Sequence, residues 1–175
     1  MVNYRRNYLP GGTFFFTASL QDRSKTYLVD NIECFRQSVR LTKQKYPFEI
    51  IAAVVLPDHV HMIWQLPQGE SDFSKRWQMI KKEFTKSLLA HSVPVSRKSE
   101  NRYNLWQSRF WEYTIRNEQD LERCINYIHY NPVKHSYVTR VWGWPFSSFH
   151  QYVSRGVLSV DWGDNITLIE TSLNE

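Results

Sequence analysis

The sequence predicts an α+β domain: a four-stranded antiparallel sheet with helices on one face, followed by one more helix and an extension. Three observations predict it. Strand-like and helix-periodic stretches follow one another in the order β-α-β-β-α-β before the last helix. The chain has 175 residues, close to one ordinary domain and too short for a (β/α)8 barrel, which needs about 250. No internal repeat or linker divides it, so a single domain over 1–175 is expected, with a core at about 4–153 and a weakly patterned tail at 154–175.

The elements follow in order. Tyr4–Tyr8 is a short basic-aromatic arm, set apart by Pro10, Gly11 and Gly12. Thr13–Leu20 reads as the first strand. Ile32, Phe35, Val39, Thr42 and Tyr46 step by three and four, a helix that Pro47 stops. Phe48–Leu56 is almost continuously apolar and β-branched, as a central strand buried on both faces would be. Pro57-Asp58 makes a turn, and His59–Leu66 alternates as a strand returning antiparallel. Ser71 or Asp72 can cap the second helix, whose apolar stripe is Phe73, Trp77, Ile80, Phe84 and Leu88. Lys75, Lys82 and Lys86 fall opposite that stripe. Residues 90–105 read as an exposed loop, and Arg109–Arg116 as the fourth strand. Asn117 caps the last helix, with Asp120 in its first turn, and Pro132 is expected to end it. The order is that of a split βαβ, ferredoxin-like fold.

Composition narrows the function classes. Hydrophobic residues make 42% and charged residues 22%, which excludes a disordered chain. Cys34 and Cys124 fall on apolar helix faces, with neither a disulfide framework nor zinc-ligand spacing. Met1–Arg6 lacks an apolar signal core, and no apolar run approaches the ~18 residues of a membrane span. A soluble protein of the reducing cytoplasm, without membrane contact, is expected. The net charge is +5, but Lys75–Arg109 alone holds nine basic and two acidic residues. Such concentrated charge points to an anionic partner. With 10 Phe, 10 Tyr and 7 Trp the chain also has flat faces to spare, which suits single-stranded nucleic acid.

Two motifs carry candidate chemistry. In Pro57-Asp58-His59-Val60-His61, strand alternation puts His59 and His61 on one face and Val60 on the other. The two imidazoles are then close enough to share a metal ion, although two strand-end histidines are the commoner outcome of such spacing. In Tyr127-Ile128-His129-Tyr130-Asn131-Pro132, the core stripe is Leu121, Cys124, Ile125 and Ile128. At about 100° per residue, Tyr127 and Asn131 lie together on one edge of that stripe, and Tyr130 points away from it. Taken alone, Tyr127 reads better as a boundary aromatic and Asn131 as a helix-end polar cap.

Together these features resemble the HUH single-strand DNA transposases with one catalytic tyrosine, and more narrowly the REP-associated tyrosine transposases. Four stretches carry the resemblance: Tyr4-Arg5-Arg6 through Pro10-Gly11-Gly12; Leu56 to His61; Tyr127 to Lys134; and Trp144-Pro145-Phe146-Ser147-Ser148. Tyr130 departs from it, standing where a polar or acidic residue is expected. The resemblance implies a ferredoxin-like core, Tyr127 as nucleophile, and a divalent cofactor, Mg²⁺ or Mn²⁺, held by His59, His61 and Asn131. It implies single-stranded, REP-like DNA hairpins as substrate, bound through Arg5, Arg6, Lys75, Lys82, Lys86 and Arg109 by a monomer or homodimer. The mechanism implied is cleavage and rejoining through a 5′-phosphotyrosine, without ATP. The alternative is a non-catalytic nucleic-acid-binding domain on the same fold, with both histidines structural.

Overall fold

The computed structural model describes residues 7–100 and 102–164. Its elements are β1 (Thr13–Ser19), α1 (Tyr27–Asp30), α2 (Ile32–Lys45), β2 (Glu49–Val55), β3 (His59–Gln65), α3 (Phe73–Ala90), β4 (Arg97–Ser99), β5 (Arg102–Tyr103), β6 (Trp111–Thr114), α4 (Glu118–Lys134), a 3₁₀ turn (Val141–Gly143) and α5 (Phe149–Ser154). The main sheet runs β2-β3-β1-β6, and each neighbouring pair is antiparallel. The expected α+β class and element order are present, and no helix among the described residues is long and apolar enough to cross a membrane.

The sheet has a core on each face because β1 carries bulky rings on both sides of its pleat. Phe14, Phe16 and Ala18, with Val60, Met62 and Trp64 of β3, meet α2 and α3 through Phe35, Val39, Trp77, Ile80 and Phe84. Phe15 points the other way, joining Ala52, Val54 and Ile63 beneath Cys124, Tyr127 and Ile128 of α4. Helices α2 and α3 therefore share one face, and the tyrosine-bearing helix covers the other. Both helix caps form as expected: Asp72 Oδ1 accepts from the Lys75 amide at 2.9 Å, and Asn117 Oδ1 from that of Asp120 at 2.9 Å.

Three expectations are corrected. The apolar run at β2 is not central; it lies at the sheet edge. Its faces meet both cores, and residues 144–148 seal its outer side. The Val55 amide donates to Phe146 O and the Ser148 amide to Ala53 O, each at 2.8 Å. Ser148 Oγ also accepts from the Ala53 amide at 2.9 Å. The run thus reports burial, which the covering segment supplies at an edge. The 90–105 segment is not a plain exposed loop: it holds the small β4–β5 hairpin, Val93 and Val95 pack against the core, and Leu105 is buried in it. Finally, α4 does not stop at Pro132; it continues to Lys134. Pro132 lacks only the amide that would have bonded the carbonyl of Ile128, a loss of one bond near the helix end. The helix closes through Ser136 at φ 58°, with the Tyr137 amide donating to Pro132 O at 3.0 Å.

Candidate active site

His59 and His61 sit at the start of β3, opposite Ser19 and Thr17 of β1. Alternation turns both onto the α4 face, with ring centroids 4.8 Å apart. Both are buried. Each ring is oriented through Nδ1. His61 Nδ1 lies 2.8 Å from Thr17 Oγ1. His59 Nδ1 lies 2.7 Å from Asp58 Oδ1 and 3.2 Å from Arg23 Nη2, and Arg23 also pairs with Asp58. With Nδ1 held by a protein oxygen in each ring, Nε2 is the nitrogen through which either imidazole would ligate.

Burial and neighbouring charges set the ionisation of Asp58 and His61. Burial pushes the Asp58 carboxyl up, but hydrogen bonds from His59 and Arg23 outweigh it and bring its pKa down to about 2. Asp58 therefore stays anionic beside His59. Burial first, then the neighbouring His59, holds the His61 pKa well below the ordinary imidazole value. A neutral imidazole is the ligating form.

Helix α4 brings Tyr127 across this pair. Its ring centroid is 5.3 Å from that of His61, edge-on at 73°, and 5.7 Å from that of Phe15. The Lys134 ammonium lies 4.7 Å from the Tyr127 ring. Asn131 follows one turn beyond Tyr127, fully buried inside the helix, and both of its amide atoms lack a hydrogen-bond partner among the described residues. It is not the helix cap, which is His135. Tyr130 packs instead beside Gly163 of the C-terminal extension.

The same geometry tests the metal. Among the described residues no three His, Cys, Asp or Glu gather as ligands, so two imidazoles need a third donor of another type. A buried amide with an unpartnered oxygen beside two oriented imidazoles fits a divalent ion of mixed nitrogen and oxygen preference.

Other site-lining residues gave little or no signal in the sequence. Thr17 and Arg23 come from elsewhere in the chain, and Asp58 reads as a turn residue. His135 had a signal: its ring is 5.4 Å from that of His59, and it lies one turn beyond Asn131. Ending the helix at Pro132 concealed it.

The structure separates the basic residues. Lys75, Lys82 and Lys86 are exposed as expected, but α3 lies across the sheet from the histidines. Arg76 is buried and structural, its guanidinium donating to the carbonyls of Pro47 and Asp72. Arg109 is exposed just ahead of β6. Arg5 and Arg6 lie outside the described residues.

The chain matches the family described as "Transposase IS200 like" over residues 16–131, a span that contains the histidine pair, Tyr127 and Asn131. A REP-associated tyrosine transposase of Escherichia coli (strain K12) is 45% identical over 167 residues, covering 95% of this chain and 94% of its own. A Haemophilus influenzae relative is 44% identical over 167 residues, with 94% and 95% covered. A solved structure described as the REP-associated tyrosine transposase bound to a REP hairpin superposes with a TM-score of 0.85 at 42% identity, over 100% of this chain and 99% of that one. The chain belongs to the REP-associated tyrosine transposases, a group of the DNA-cleaving and strand-transferring enzymes.

Proposed function

We propose that this transposase cleaves and rejoins single-stranded DNA at hairpin sequences through a covalent 5′-phosphotyrosine on Tyr127. The observation that carries this reading is the Tyr127 ring set 5.3 Å from His61, with Asn131 buried one turn away. A divalent ion such as Mg²⁺ or Mn²⁺, held by His59, His61 and Asn131, would supply Lewis-acid stabilisation at the scissile phosphate. The Tyr127 oxygen attacks phosphorus as its proton passes to solvent, the P–O3′ bond breaks, and the departing 3′ oxygen takes a proton from solvent to become a free 3′-OH. Lys134, its ammonium 4.7 Å from the Tyr127 ring, adds positive charge beside the phosphate that the tyrosine attacks. The phosphotyrosine bond conserves the phosphodiester energy, so the returning 3′-OH can rejoin without ATP. The hairpin as substrate is supported by the relative solved with one. The reaction is placed in the bacterial cytoplasm, on single-stranded stretches of the chromosome.

Arg109, exposed just ahead of β6, and the N-terminal Arg5 and Arg6 are assigned as DNA contacts. Lys75, Lys82 and Lys86, across the sheet, are assigned to phosphates of the hairpin stem. Incubation with labelled hairpin DNA and Mn²⁺, followed by a denaturing gel, tests the chemistry. Wild type should form a covalent protein–DNA band, Tyr127→Phe none, and Tyr130→Phe most of the wild-type amount. Loss of the band in Tyr130→Phe alone would reverse the assignment.

A further inference from the structure

Four observations converge on the edge strand β6. First, Asp120, Arg123, Tyr127, Asn131 and Lys134 are spaced by three and four, so they form one edge of α4. The Tyr113 hydroxyl donates to the Asp120 carboxylate at 2.9 Å, and the Arg123 guanidinium lies 6.0 Å from the Tyr113 ring. The nucleophile's edge of the helix therefore faces β6. Second, Trp111 and Tyr113 project from the same side of β6, both half-buried, with rings parallel within 4° and centroids 6.0 Å apart. Third, Trp111 is one ring from the chemistry. It packs on Phe15 at 5.7 Å, and Phe15 touches both His61 at 5.4 Å and Tyr127 at 5.7 Å. Fourth, a cleft of about 360 Å³ opens beside Tyr113, lined by Arg116, Asn117, Gln119, Asp120 and Arg123. A second cleft, of about 490 Å³, shares Tyr113 and Arg116 with it. The Asp120 carboxylate is occupied by Tyr113, Arg123 and the Arg116 amide. Glu118 and Glu122 fall on the far side of the helix at about 100° per residue.

We infer that the groove between β6 and the Arg123–Tyr127 edge of α4 carries the single-stranded nucleotides flanking the scissile phosphate, with Trp111 and Tyr113 as stacking surfaces for bases and Arg116 and Arg123 as phosphate contacts. This rests on the functional reading above and adds where the unpaired strand runs. Flat rings interleaved with guanidinium groups are the composition that single strands bind, and they bind it with little regard to base identity. Arg123, at the cleft, stands one helical turn before Tyr127 on the same edge of α4, which favours the strand being cut over the hairpin stem.

The test compares two oligonucleotides in EDTA, a bare hairpin and the same hairpin with a single-stranded flank spanning the cleavage position, by fluorescence anisotropy. Wild type should bind the flanked form more tightly. In Trp111→Leu and Tyr113→Leu the ratio of the two affinities should fall roughly five- to a hundredfold per base lost from the stack. Arg116→Ala, an exposed position, should reduce the same ratio and its salt dependence. Because a half-buried tryptophan also supports the fold, wild-type protein should be photocrosslinked to 5-iodouracil placed in the flank, with adducts mapped by mass spectrometry. Adducts on Trp111 or Tyr113 support the groove. A flank advantage retained in all three variants, or crosslinks confined to residues elsewhere, would overturn it. Failure of the functional reading looks different: wild type would then form no covalent band with either oligonucleotide, whatever its affinity for them.

Discussion

Asn131 is an amide where an amide is costly. A buried polar side chain without hydrogen bonds costs roughly 1–3 kcal/mol, and here both atoms are left unpartnered within a helix. A site that tolerates this gains elsewhere, and ligation is the use that fits. Asn131→Ala should therefore make the protein more stable by roughly 1–2 kcal/mol while raising the Mn²⁺ concentration needed for cleavage. Asn131→Asp should keep activity. Thermal melts and metal titrations on the same samples check both halves, and superimposable Mn²⁺ curves would remove Asn131 from the metal site. Asp58 makes a complementary case. Its pKa is about 2 against an ordinary 3.8, so the unfolded chain binds the proton first as pH falls. The stability it contributes is complete above about pH 4 and is lost as pH falls toward 2, amounting to about 2 kcal/mol at most because Arg23 is half exposed. Asp58→Asn should flatten the acid limb of the stability profile over that window. Unfolding in urea at pH 2.5, 4 and 6 shows whether it does.

At the scale of elements, the parts visible in the sequence were those governed by one element's own period. Alternation along β3 is enough to pair His59 with His61, and helical phase along α4 is enough to align Tyr127 with Asn131 and exclude Tyr130. What lay beyond reach depended on a second element. Thr17 matters because β1 pairs with β3 in one register, and β2 looks central because a segment about 90 residues later covers its edge. His135 was lost to a rule applied too firmly, that proline stops a helix, when Pro132 stands too near the end of α4 to cost more than one bond. The edge seal makes its own prediction. Ser148 Oγ accepts from the Ala53 amide at 2.9 Å and lies 3.0 Å from Nε2 of His129, whose pKa burial holds at about 4. Ser148→Ala should strand the Ala53 donor and the His129 ring together, costing roughly 2–3 kcal/mol. Loss of the seal should also expose β2 as an edge for intermolecular pairing. Denaturant midpoints and light scattering on warming measure the two effects, and an unchanged midpoint would mean that the seal holds through the backbone bonds of Phe146 and Ser148 and the Trp144 indole bond to Val55 O.

At the scale of the molecule, the sheet divides the work. One face carries the histidines, the tyrosine helix and the β6 groove, and the other carries α2, α3 and the outward lysines. DNA long enough to meet both must pass around the sheet, which a hairpin stem with a single-stranded foot is able to do. Binding and cleavage should then separate by mutation. His59→Ala should abolish the covalent band yet leave hairpin affinity near wild type, since the strand is held by groups outside the metal site. Replacing Lys75, Lys82 and Lys86 together by Ala should weaken hairpin binding. It should also reduce the log–log salt slope by about 2–3, because each phosphate contact contributes about 0.7 on single strands and 0.9 on duplex. Lys75 also stacks 4.4 Å over the Tyr46 ring and Lys86 pairs with Glu83, so the single variants separate surface packing from DNA contact. A change in melting temperature without a change in slope would mark a lysine as structural. Measuring affinity from 50 to 300 mM salt decides the placement. An unchanged slope in the triple variant would confine the DNA to the α4 face, where Arg109, Arg116 and Arg123 would have to account for the phosphate contacts.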